Sequence, residues 1–470
     1  MSRSGQPLDA FAAGLSEDVR ATVADGAAAT DAARRRAMET GGDSLADLRD
    51  TAAAIRQHAL DHLDTYLAQA EASLTRCGAR VHFAATAASA REQVTRILQE
   101  AGVRRLVKSK SMVAEEIGLA EHLTAAGTEV VESDLGELVV QLDGDRPSHI
   151  VKPIIHRRRD EIASTFRDHG LGDYDPDPES LTRRARAHLR RKFLAADASI
   201  SGANFVSAES GRLVVVTNEG NNRFGAAAAP LHIAVVGIEK VVATDRDLSV
   251  LLALLARSAT GQAITAYTEF MRGPRPPGRS SGPAAFHVVF YDGGRSRILG
   301  SEWREILRCI RCGACMNACP VYREASGHAY GGVYPGPVGA VLEPLLAADP
   351  DGYAERAGLA YASTLCGACG DVCPVKIPLP DLLVRHRVEA TARHLDRARA
   401  GVPGTAAFSA VAARPGLWRI MLSLSGRLPA AWVERFAVGP LRRWLAQRTL
   451  PRLRGGAFRR WLRGSGGKDG

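Results

Sequence analysis

Cys309-Ile-Arg-Cys312-Gly-Ala-Cys315-Met-Asn-Ala-Cys319-Pro320 is the stretch whose reading decides the fold, and Cys366-Gly-Ala-Cys369-Gly-Asp-Val-Cys373-Pro374 echoes it downstream. Seven of the 8 cysteines fall in these two segments. Spacings of two, two and three residues closed by Cys-Pro are those of bacterial ferredoxin-type iron–sulfur ligation. Three closely spaced thiolates wrap one face of a cubane and the fourth cysteine leads to a neighbouring cluster, so two clusters are expected. On that logic Cys309, Cys312, Cys315 and Cys373 hold the first, and Cys319, Cys366 and Cys369 the second.

A complete repeat calls for a cysteine where Ser363 stands. Three outcomes stay open for the second site: a [3Fe–4S] cluster, a [4Fe–4S] cluster whose fourth iron takes Ser363 or another oxygen or nitrogen ligand, or an iron open to water or a partner. Zinc also binds paired thiolates, but it does not call for the triple cysteine run or for both Cys-Pro endings.

Outward from this region, 470 residues with 46% hydrophobic and 24% charged side chains suggest a globular protein of two or three domains. The net charge of +10 names no partner by itself. Runs such as Arg157-Arg-Arg and Arg183-Arg-Ala-Arg lack interleaved aromatics and read as solvated helix faces, which argues against nucleic acid. The start of the chain lacks a secretory pattern, and no apolar run reaches about 18 residues. A cytoplasmic setting is expected, where clustered cysteines are metal ligands before they are disulfides.

Residues 1–75 read as a helical region, with an apolar stripe from Leu45 to Leu74 on one long helix. His58 and His62 share a helix face, but with no third ligand nearby they read as ordinary surface or half-buried histidines. Cys77 reads as a small buried hydrophobe. From Val81, strands alternate with helices: Val81–Ala84, a helix Ala88–Ala101, Arg105–Lys108, a helix Met112–Ala126, and Thr128–Val131. This alternation predicts a parallel sheet wrapped by helices. Ser111 is placed to cap a helix at a strand end, where Lys108 and Lys110 flank a candidate anion site. Strands are expected at Arg212–Thr217 and Leu231–Gly237, with the turn Asn218–Asn222 after the first suited equally to a sharp bend and to substrate contact. His287–Tyr291 reads as a last strand, which puts the domain boundary near Ser296. Between the cysteine segments, Gly327–Gly339 is a loop, and His328 reads as loop packing rather than as a ligand.

Lys108-Ser-Lys-Ser-Met, Glu132-Ser-Asp-Leu-Gly, Pro147-Ser-His-Ile, Gly202-Ala-Asn-Phe, Thr217-Asn-Glu-Gly-Asn, Gly237-Ile-Glu-Lys and Cys309-Ile-Arg-Cys-Gly-Ala-Cys occur in one order. From about residue 50 to 390 the chain resembles the lactate utilization iron–sulfur proteins of the LutB family. That resemblance implies a LUD α/β domain (76–296) of the CoA-transferase and ribose-phosphate isomerase-like group. It implies an all-α two-cluster ferredoxin domain (297–395), two [4Fe–4S] clusters, and work beside two partner subunits in oxidising L-lactate to pyruvate. The chain would carry electrons to a further acceptor. As alternatives, the LUD domain is itself the hydroxy-acid site, using Lys108, Lys110, Ser111, Asn218 and Glu219, or the chain is an assembly scaffold with structural clusters. No Gly-x-Gly-x-x-Gly fingerprint supports a dinucleotide.

Residues 396–470 form a basic tail with Trp418, Trp432, Trp444 and Trp461. Helical spacing of apolar and basic positions at Leu417–Leu424 and Trp432–Leu445 suits an anionic membrane surface, a partner groove, or packing on the protein itself.

Overall fold

The computed structural model describes residues 15–347, 349–393 and 405–425, together with isolated positions beyond these. A six-stranded sheet organises the first part. Its strands are β1 (Arg80–Ala84), β2 (Arg105–Lys108), β3 (Glu129–Glu132), β4 (Ala198–Ser201), β7 (Leu231–Gly237) and β10 (Ala285–Tyr291), in the order β1-β10-β7-β4-β2-β3 with every pairing parallel. β7 is buried along its whole length, as a strand covered on both faces must be. A second, four-stranded sheet joins β5 (Phe205–Ser207), β6 (Leu213–Thr217), β8 (Val241–Val242) and β9 (Tyr267–Met271) in the order β8-β5-β6-β9.

The helix Ala87–Glu100 buries Ala90, Val94 and Ile97 against one face of the large sheet, beside Val235 and Val289. On the other face, Leu63, Ala70 and Leu74 pack with Phe286, Val288 and Phe290. The expected single helix across Leu45–Leu74 is broken at His62 (φ −122°, ψ 32°) between Glu17–Asp61, itself interrupted at Gly42 (φ 54°, ψ −148°), and Leu63–Arg76. The stripe serves two cores: Ala52 and Leu60 face the helix Asp245–Thr260 and the cysteine region, whereas Leu63 and Leu74 face the sheet, so the chain bends between them. The expected helix Met112–Ala126 is likewise divided, at Gly118 with φ 60°, which lets Ile117 and Leu119 reach the same core. Cys77 caps the helix Leu63–Arg76 and is half-exposed, not buried, because it lies at the helix end facing a surface loop.

Beyond Ser301 the chain has short helices and no strand among the described residues. The Glu17–Asp61 helix contributes Val23, Ala27 and Ala52 to a core shared with Ile306, Ile310, Met316 and Tyr322. Residues from Thr391 onward make a separate unit. In it, helices Thr405–Ala412 and Pro415–Ser425 set Phe408 edge-on to Trp418, ring centroids 5.6 Å apart. Much of the basic tail, including Trp444 and most of Trp432–Leu445, lies outside the described residues. Among those described, no helix is long and apolar enough to cross a membrane.

Candidate metal centre

The two cysteine segments fold alike. Cys312 lies between Arg311 (φ 60°) and Gly313 (φ 77°), and Cys366 between Leu365 (φ 54°) and Gly367 (φ 87°). Left-handed backbone at a non-glycine residue is strained, and both segments hold that strain at the same place. The short helices Ala314–Asn317 and Ala368–Asp371 follow. Cys319 N donates to Met316 O and Cys373 N to Gly370 O, each at a matching position. Arg311 N donates to Cys309 Sγ at 3.4 Å, and Leu365 N to Ser363 Oγ at 3.1 Å. Ser363 therefore takes the place of Cys309 in the local turn.

Tertiary packing brings thiols of the two segments within reach of one another's charge. Burial raises the pKa of Cys312, and Cys373 and Cys309 raise it further; burial likewise raises that of Cys315, followed by Cys309, Cys312, Cys369 and Cys373. Cys369 is raised by burial and by Cys319 and Cys366. These influences cross between the segments in the pattern expected for two sets, Cys309, Cys312, Cys315 and Cys373, and Cys319, Cys366 and Cys369. They adjoin one another, since Cys315 also feels Cys369. Cys319, Ser363, Cys366 and Cys369 line one small cavity closed by Pro320, Pro337 and Pro380. Cys366 is exposed, while no thiol of the first set is.

Thiols pressed together in a buried site resist ionising unless a cationic group draws the charge. Amides are turned to help: Ile377 N meets Cys373 Sγ at 3.3 Å, and the amides of Val321 and Tyr322 hold down the pKa that burial raises at Cys319. Free thiols, converging sulfurs and inward amides fit an iron–sulfur group. His328 is engaged elsewhere, with Nε2 2.7 Å from Arg146 O and its ring 4.5 Å from that of His156. His58 Nε2 meets Tyr66 OH at 2.8 Å.

In the α/β domain, Lys110, Ser111, Asn218 and Glu219 line a single cavity. Ser111 Oγ caps its helix by accepting from Ala114 N at 3.2 Å. Lys108 departs from the expected set. It is fully buried, with Nζ 2.9 Å from both Glu115 and Glu132, so its charge is spent inside the fold and does not face a ligand. Glu219 accepts from Leu135 N at 3.0 Å, and burial with the nearby Asp134 pushes its carboxyl up to about 7. Lys240, Arg311 and Cys312 share the same cavity wall.

The LUD domain model matches residues 67–291, and the 4Fe-4S dicluster domain model matches residues 305–377. The chain is 44% identical over 420 residues to lactate utilization protein B of Shouchella clausii (strain KSM-K16), covering 88% of this chain and 87% of that one. It belongs to the lactate utilization protein B family. It is also 44% identical over 421 residues to the uncharacterized electron transport protein YkgF of Escherichia coli (strain K12), with 88% and 87% covered. Among solved structures, a DUF162 family protein from Deinococcus radiodurans is 15% identical, covering 49% of this chain and 98% of that one with TM-score 0.28.

Sequence reading missed the buried charges that tie this lactate utilization protein B homologue together. Arg56, 1% exposed, donates to Val241 O at 3.2 Å, Leu307 O at 3.0 Å, Arg308 O at 3.3 Å and the Glu239 carbonyl. It joins the first helix, the turn and strand β8 that follow β7, and the approach to Cys309. Arg295 is buried between Glu239 (2.6 Å) and Glu116 (2.7 Å). Nothing local marks Arg56, which sits among ordinary helix formers; only the Gly237-Ile-Glu-Lys motif hinted at Glu239 and Lys240.

Proposed function

We propose that this chain is the iron–sulfur electron-transfer subunit of an L-lactate oxidation system, passing electrons through two [4Fe–4S] clusters to a further acceptor. The observation that carries the reading is the convergence of seven thiols from two segments within a dicluster match, in a chain whose relatives are named for lactate utilization. Cys309, Cys312, Cys315 and Cys373 would hold one cluster, and Cys319, Cys366 and Cys369 the other, with Ser363 as its fourth ligand. Such clusters, when bound, supply one-electron transfer. The chain's own residues bury Cys312 and Cys373 and half-bury Cys309 and Cys315, aim amides at sulfur, and leave Cys366 at the surface, where an exchange partner has access.

Lactate oxidation releases two electrons and two protons, so the carbon chemistry belongs to one of two partner subunits or to the α/β domain. The assignment of that domain to the CoA-transferase-like group, with boundaries near 75, 296 and 395, is part of the same proposal. So is peripheral contact with the cytoplasmic face of a membrane through the helix Pro415–Ser425, where Leu417, Ile420 and Leu424 are exposed.

The test is anaerobic co-purification of the complex, followed by addition of L-lactate or D-lactate under EPR observation. Cluster reduction by L-lactate with the partners present is expected. Clusters that stay oxidised in the intact complex would sink the proposal.

A further inference from the structure

The cavity shared by the α/β domain and the first cysteine loop carries unused positive charge. Lys240 is 6% exposed, and among the described residues its ammonium has neither a hydrogen bond nor a salt bridge. Arg311 is equally enclosed. Its guanidinium stacks on Tyr334 at 4.6 Å and reaches Glu239 only at 3.6 Å, while Nη1 has no partner. Lys110, half-buried at the rim, has no salt bridge among the described residues. A buried ammonium without a close partner is costly: burial lowers the pKa of Lys240 to about 7, and an anion beside it would hold the charge.

The acids on the same wall do not balance these cations. Glu239 is shared: Oε2 accepts from Arg295 at 2.6 Å, and Oε1, without a hydrogen-bond partner among the described residues, lies 3.6 Å from Arg311. Asp134 accepts from the amides of Gly136 and Glu137 at 3.0 and 3.1 Å, and Glu219 from Leu135 N. One buried carboxylate thus faces Arg295, Lys240 and Arg311 together, and the residual demand of the site is for an anion.

We propose that this cavity binds a small carboxylate, with Lys240 and Arg311 at its floor and Lys110 at its rim. Arg311 offers the fork geometry suited to a carboxylate. Glu219 stands on the same wall as an acceptor for a hydroxyl hydrogen next to the carboxylate. A 2-hydroxy acid satisfies both ends with Glu219 accepting, and a 2-oxo acid does so with Glu219 protonated and donating; that choice of acid rests on the lactate reading above, and the demand for an anion does not. Cys312 shares the wall, so the occupant sits against the first thiol set. The competing account is that Lys240 and Arg311 serve only to offset thiolate charge, since Cys309 acts on both.

Calorimetric titration of the anaerobic, cluster-loaded full chain with L-lactate, pyruvate and uncharged lactamide decides between them, with EPR of the reduced protein recorded before and after each addition. Saturable binding of both acids but not of lactamide is expected, with a changed EPR line shape. Binding should weaken tenfold or more in Lys240→Met and in Lys110→Met at unchanged iron content. The rim variant carries the test if the floor variant loses iron. Absence of saturable binding of either acid, or unaltered affinity in a variant that keeps its iron, overturns the site. Clusters that reduce normally without acid binding overturn this site alone, whereas acid binding to redox-inert clusters overturns the electron-transfer reading alone.

Discussion

The amide of Leu365 donates to Ser363 Oγ at 3.1 Å, repeating the bond from Arg311 N to Cys309 Sγ at 3.4 Å in the first segment. With Leu365 and Arg311 both in the left-handed region, the serine oxygen occupies the position of a ligand sulfur. Ser363→Ala should leave one iron of the second cluster labile, so that mild oxidation yields a three-iron EPR signal and a lower iron count. Ser363→Cys should keep the full count and shift the reduction potential. An alanine variant that matches the parent in both iron content and spectrum would remove Ser363 from the ligand set.

The proposed exchange of ligands between the segments predicts pairs of equivalent lesions. Cys373→Ala should delete the same EPR signal as Cys309→Ala, although the two residues lie in different segments. Cys319→Ala should match Cys369→Ala. If Cys373→Ala instead removes the signal lost in Cys369→Ala, each segment serves its own cluster.

Arg56 holds four backbone carbonyls from two regions, and removing it leaves them without a donor in a closed interior. Arg56→Met should cost about 3–5 kcal/mol in urea unfolding of the cluster-loaded protein. Lys at this position should rescue little, because one ammonium does not reproduce the planar fork. Stability within about 0.5 kcal/mol of the parent would contradict this account.

Burial lowers the pKa of His232 from 6.5 to about 4, with its ring between Ser199 (2.7 Å) and Ser201 (2.9 Å). Above pH 6.5 both folded and unfolded forms are neutral. Below it the unfolded chain takes up a proton that the folded chain refuses, so stability falls as pH drops from 6.5 through about 4. His232→Gln, which keeps hydrogen-bonding capacity without titrating, should flatten that part of the pH profile in urea titrations. An unchanged slope would place the acid sensitivity elsewhere.

Local signals made much of the protein legible. The strands Arg105–Lys108 and Leu231–Gly237 were readable because short apolar runs between turns report burial directly, and the Ser111 cap because it needs only its own helix. The strand order was not readable, since β1 and β10 pair across nearly the whole domain. Lys108 shows the limit: its place in a motif beside Lys110 suggested a ligand contact, and only the packing of Glu115 and Glu132 around it revealed an internal ion pair.

The sequence by itself determined the spacing of the seven cysteines and the missing eighth at Ser363, because ligand loops are built from neighbours along the chain. Tertiary structure decided which thiols meet and which charges lack a partner. It set Cys373 beside Cys309 and closed Lys240 and Arg311 into one cavity with Lys110 and Glu219. Such proximity arises from the long-range burial of one element against another, and no local pattern of residues encodes it.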